Sequence, residues 1–204
     1  MNTEHKTQSS NFHQFDLTTF YLAPFLLLAA TIAFSLDGDS NFKTGVPGGI
    51  LTSFAFIAFI FVVLRLMDLV YATLPRFATA MRILMVYCCF VGFTFGLNAV
   101  LTAVTEEAYS FWTMPGAAIF PFSGILWPLS LLITGIVCYR NKILPSRLAA
   151  LLILCGVLFP AGRIPGNEIL NYASDLAFII TFISIARYLK AAPASVGNSA
   201  LATA

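Results

Sequence analysis

The sequence predicts an all-α, polytopic transmembrane six-helix bundle. Three observations support this: six apolar runs long enough to cross a bilayer, a scarcity of charge, and basic residues gathered on one side. Of 204 residues, 59% are hydrophobic and 10% charged, whereas soluble globular chains carry about 25% charged residues. Mean hydropathy is +0.87. Crossing a hydrocarbon layer of about 30 Å takes about 20 helical residues at 1.5 Å each. Hydrocarbon offers the backbone no partner, and no run alternates apolar and polar residues as a barrel strand does, so the spans are predicted to be helices.

The first span, Thr19 to Leu36, follows a polar segment, residues 1–18, that holds both histidines. Its flank carries Lys6 against Glu4 and Asp16, and no small-x-small cleavage site follows it, so the run reads as a retained anchor rather than a secretory signal. The second span is Gly49 to Val70 and the third Met81 to Val104; the fourth, Ala117 to Tyr139, contains Pro121 and Pro128. Each Pro removes a backbone donor, which predicts a kink or break in the outer half of this helix. The fifth span is Arg147 to Gly162 and the sixth Ile169 to Leu189. The small, uncharged tail of residues 191–204 reads as a disordered cytoplasmic end. No loop exceeds about a dozen residues, too few for a soluble domain.

An even number of spans puts Lys6, Arg65, Arg76, Arg82, Arg140, Lys142, Arg147, Arg187 and Lys190 on one face and leaves Lys43 and Arg163 on the other. The positive-inside rule makes the richer face cytoplasmic, with both termini there. Tyr109, Trp112 and Tyr172 then fall near the outer boundary, and Tyr71, Tyr139 and Tyr188 near the inner one, where aromatic belts belong. The net charge of +2 comes from these loop positions and argues for no nucleic-acid partner. Cys88, Cys89, Cys138 and Cys155 fall in or at the inner ends of spans, form no C-x-x-C pair, and read as packing residues.

The second and third spans share a layout with the fourth and fifth. Gly49-Ile50-Leu51 precedes Arg65 by the same interval at which Gly124-Ile125-Leu126 precedes Arg140, and Leu74-Pro75 and Leu144-Pro145 open the following spans. Both duplicated hairpins and convergence fit: any inward-running helix tends to end in Arg followed by a Pro-containing turn. The stretch with Trp127-Pro128-Leu129, Gly135, Tyr139-Arg140, Leu144-Pro145, Phe159-Pro160 and Gly162-Arg163-Ile164-Pro165 resembles a pattern in small bacterial multi-pass integral membrane proteins. That resemblance implies a bacterial inner-membrane location and no particular chemistry.

Ionisable groups inside a span need a partner, a hydrated cavity or a nearby interface. Arg65, Asp68, Arg82 and Arg187 lie near inner helix ends, where long side chains snorkel, and Arg65 and Asp68 are spaced to pair. Asp175 lies about 12 Å along the last helix from Asn167, too deep for a short carboxylate to reach water easily. Asn167, Asn171 and Asp175 form one stripe, and Thr94, Asn98, Thr102 and Glu106 form another at similar depth on the third span. These stripes predict contact between the third and sixth helices, with Arg163 as counter-charge to Asp175. The resulting polar intramembrane site comprises Asp175, Asn171, Asn98, Thr102, Arg163 and Glu106. Beside the stripe, Gly92, Gly96, Ala99 and Ala103 make a small-residue face suited to close packing within the chain. Asp37 and Asp39 read as a solvated turn.

No His lies in a span for haem, no Lys lies mid-span for a Schiff base, and no P-loop, H-E-x-x-H or G-x-S-x-G motif is present. No cofactor or metal is expected. The expected partners are the lipid bilayer and a membrane protein or second copy of the chain. An accessory, sensory or assembly role leads. A small transporter or channel protomer coupled through Asp175 is the alternative, and an enzyme using Asp175, Glu106, Glu107 and Arg163 comes third.

Overall fold

The computed structural model describes residues 3–39, 42–105 and 119–191, with side chains described from residue 17 and, in the fourth helix, from residue 124. Glu106, Glu107, Tyr109, Trp112 and the tail beyond residue 191 lie outside the described residues. Six helices are present among the described residues: α1 (Thr3–Leu36), α2 (Val46–Tyr71), α3 (Pro75–Thr105), α4 (Ile119–Arg140), α5 (Ser146–Arg163) and α6 (Glu168–Ala191). Helix α1 begins well before the apolar run, which occupies Leu17–Leu36.

Short turns separate α2 from α3, α4 from α5 and α5 from α6. Pro47 lies in the first turn of α2 and Pro75 opens α3, positions where a missing N–H costs nothing. At the end of α5, Gly166 takes a left-handed conformation (φ 66°) and the Asn167 N–H bonds to the Gly162 carbonyl at 3.1 Å, a Schellman closure. Asn167 then caps α6, its Oδ1 accepting from the Leu170 N–H at 3.1 Å.

Each helix packs against its neighbours in sequence, and α1 packs against α6, so the chain closes into an up-and-down ring. Close approach is by glycine. A Cβ on Gly49 or on Gly96 would come within 2.5 Å of the other's carbonyl oxygen across the α2–α3 contact. Gly135 and Gly156 do the same for α4–α5: a Cβ on Gly135 would lie 2.9 Å from the Ile153 nitrogen, and one on Gly156 2.7 Å from the Pro128 carbonyl. The small face of α3 is thus used inside the chain, against α2. The two similar hairpins close on glycines at different positions.

Aromatic rings fill the centre. Phe59 of α2 lies 5.5 Å from Trp127 of α4 and 5.8 and 5.5 Å from Phe178 and Phe182 of α6, centroid to centroid. Phe20 of α1 meets Phe182 at 6.2 Å, and Phe159 of α5 meets Phe178 at 5.7 Å. Five helices therefore contribute to one packed layer. Edge-on geometry at these spacings suits the ring quadrupoles.

The outside of the ring is apolar as well: Leu22, Phe25, Phe54, Ile83, Phe90, Leu101, Val157 and Ile180 are exposed along it. A large apolar exterior around an equally apolar core belongs in lipid, not water. Helices α1, α2, α3, α5 and α6 contain stretches long and apolar enough to cross a membrane, while the described apolar part of α4, Gly124–Arg140, is shorter. Helix α4 runs continuously through Pro128 from Ile119 to Arg140, so the expected break is absent; Pro121 falls in its first turn, where the lost donor is not needed.

At the end of the ring holding the α2–α3 and α4–α5 turns, Asp68 accepts from Arg82 Nη2 at 2.5 Å and lies 4.0 Å from Arg65 Nη1. The carboxylate is half exposed, so these pairs contribute at most about 1 kcal/mol. All four cysteines are buried and free.

Candidate functional site

The site lies at the opposite end of the ring, about 10 Å along α6 from Glu168 at helical rise. The α5–α6 turn brings the last residue of α5, Arg163, beside Asp175, two turns into α6. Arg163 Nη2 donates to Asp175 Oδ1 at 2.9 Å and Oδ2 at 3.2 Å, and also to Thr31 Oγ1 of α1 at 2.9 Å. The Thr31 hydroxyl in turn donates to Asp175 Oδ2, with the Leu27 carbonyl 3.2 Å away. Three helices are joined through one carboxylate. Asp175 is fully buried, and the Arg163 side chain keeps 16% exposure.

The ring order also shows what is not joined. Helix α3 stands across the ring from α6 rather than beside it, so the two polar stripes do not satisfy each other. Arg163 and Asp175 come together. Asn98 and Thr102 make no hydrogen bond to Asp175; the Asn98 Oδ1 and Thr102 Oγ1 atoms are buried without a protein partner. Glu106 lies outside the described residues. Asn171 is fully buried one turn above Asp175, pressed on Gly162: a Cβ there would lie 2.7 Å from Asn171 Oδ1.

Three contributors escaped sequence reasoning. Thr31 is one of several hydroxyls in a mostly apolar run, and only the packing of α1 against the α5–α6 hairpin brings it to Arg163 and Asp175. Ser174 is fully buried, three residues after Asn171 on the inward face, a helical spacing that was available in the sequence. Phe42, in the α1–α2 loop, lies with its ring 4.0 Å from the Arg163 guanidinium carbon, and Phe159 stands at 5.5 Å from the same atom. The Phe42 ring meets Phe34 edge-on at 5.2 Å and packs with Ala99 of α3. Asp39 orders this stretch: its Oδ2 accepts from the Lys43 N–H at 2.7 Å and the Thr44 N–H at 2.5 Å, so the acidic turn does more than solvate.

The inner face of α6 is thus divided along its length: Asn171, Ser174 and Asp175 first, then Phe178 and Phe182. Beyond the first of these rings the buried polar group on α6 is Thr181, whose hydroxyl donates to the Ala177 carbonyl at 2.6 Å. Both amide atoms of Asn171, the Ser174 hydroxyl and Arg163 Nε are buried without a partner in the protein. Unpaired buried groups of this kind cost about 1–3 kcal/mol each. The arrangement can hold one neutral ion pair deep in an apolar bundle. Among the described residues no three His, Cys, Asp or Glu side chains gather to hold a metal.

Together, apolar exterior, membrane-length helices and an ion pair sequestered within the ring define a polytopic membrane protein in contact with the lipid bilayer. No family model, curated protein or solved structure matches the chain.

Proposed function

We propose that this chain is a non-enzymatic accessory, sensory or assembly protein of a bacterial cytoplasmic membrane. It crosses six times, with both termini in the cytoplasm and the Arg163–Asp175 site toward the outside. The nine-to-two distribution of basic residues supports the orientation, and the resemblance of residues 127–165 to small bacterial multi-pass proteins supports the location.

The observation that carries the accessory reading is the aromatic layer. Phe20, Phe59, Trp127, Phe159, Phe178 and Phe182 form one packed layer drawn from five helices, and packed rings oppose a polar path through the described interior. Asp175 is already neutralised by Arg163. Such a molecule acts through what it binds at its outer end or along its lipid-facing sides. Mild solubilisation from native membrane, cross-linking and mass spectrometry should recover a stoichiometric membrane-protein partner or a second copy of the chain. Recovery of the lone chain would count against the proposal.

A second reading, coupling of a proton or cation through Asp175 in a small transporter, is favoured by one observation: the buried carboxylate has unpartnered Asn171 and Ser174 beside it. Proton- or cation-driven uptake by proteoliposomes of the unaltered protein, lost in an Asp175→Asn sample shown to stay folded in detergent, would favour transport over the accessory role.

A further inference from the structure

We propose that the polar site is occluded by Phe42, and that withdrawal of this one side chain from Arg163 opens it to the aqueous phase. The inference deepens the reading above, because the Phe42 ring lies on Arg163, the partner of Asp175 in the same site. Its test in detergent is nevertheless blind to orientation, transport and partner binding.

Phe42 belongs to a loop, yet it is 5% exposed and its backbone is left-handed, with φ at 61°. Side chains larger than glycine rarely adopt that conformation without a compensating contact. The compensation is visible: the ring lies over the Arg163 guanidinium, edge-on to Phe34 and against Ala99. Two sets of hydrogen bonds hold the following residues in place: the Asp39 side-chain carboxylate accepts from the Lys43 and Thr44 N–H groups, and the Gly45 N–H donates to the Ala99 carbonyl at 3.3 Å.

Under the Phe42 ring Arg163 Nε is unpaired, and on α6 near its partner Asp175 so are Asn171 and Ser174. Closure keeps those groups from water and opening hydrates them, so the polar site favours the open state. Burial of the Phe42 ring and its cation–π contact favour the closed one. Opposed contributions of this kind define a two-state element that a solute or partner binding the open form would shift. The aromatic layer below remains in either state, so opening exposes the site to one end of the ring only.

The test uses Ser174→Cys, a substitution of similar size, in the full chain in detergent, with a small hydrophilic thiol reagent. The four native cysteines are buried and report any general loosening. With Phe42 intact, Cys labelling at position 174 should be slow. Adding Phe42→Ala should speed it by about tenfold or more, the scale set by losing a cation–π contact and one buried ring, while the native cysteines stay unlabelled. Phe42→Leu, which keeps an apolar cover without the cation–π contact, should give an intermediate rate. Equal rates in all three backgrounds would overturn the proposal. So would native cysteines labelling together with position 174 in both Phe42 variants, because Phe42 would then hold the bundle rather than cover a site.

Discussion

Asp175 shows how one residue's meaning depends on its partners. A carboxylate at this depth is unfavourable by itself, and the bidentate Arg163 contact with the Thr31 hydroxyl makes it tolerable. Breaking a buried pair strands the remaining charge, so Asp175→Asn should destabilise the protein by about 3–5 kcal/mol. The double variant with Arg163→Gln should recover part of that loss. Thermal unfolding in detergent checks both, and additive losses would mean that the pair contributes no coupling. Asn171 should behave in the opposite way. Its amide is buried and unpartnered, so Asn171→Leu should leave stability unchanged or raise it by about 1–3 kcal/mol. A clear loss in the same unfolding assay would show that the amide is engaged.

Among the elements, the glycine contacts decide which helices become neighbours. Gly96→Ala would push a methyl group to within 2.5 Å of the Gly49 carbonyl oxygen, and Gly156→Ala one to within 2.7 Å of the Pro128 carbonyl. Each should lower stability by about 1–3 kcal/mol, the range for overpacking a filled interior. Gly124→Ala serves as the control, since nothing described lies within 4 Å of a Cβ there. The small face on α3 was legible in the sequence because Gly92 and Gly96 lie one turn apart; its partner on α2 was not. That the prolines of α4 do not break the helix has a related reason. Losing one donor breaks a helix only when nothing else holds it, and α4 is held along α5 by Gly135 and Gly156.

For the whole molecule, the ring and its aromatic filling set what the chain can do alone. Phe59 touches rings from α4 and α6, so Phe59→Ala should cost about 3–5 kcal/mol by opening a cavity at the centre. Planar-bilayer recording of the unaltered protein should show no ion conductance; steady single-channel currents would contradict a filled centre. Reporter fusions should place both chain ends in the cytoplasm. Ends on opposite sides would refute six crossings while leaving the packing of the ring intact.

The sequence by itself determined the all-α class and membrane habitat, because span length and charge scarcity are conditions that the bilayer imposes on each segment separately. It also singled out Asp175 and Arg163, since a deep carboxylate near one of the few cations on its side is a local pattern. Only the tertiary structure decided that α1, not α3, lies beside α6, that Thr31 rather than Asn98 meets the carboxylate, and that the Phe42 ring lies over Arg163. Those facts depend on the order of helices around the ring. In a chain apolar on nearly every face, periodicity does not say which face meets which helix; the interlocking of glycines and aromatic rings does.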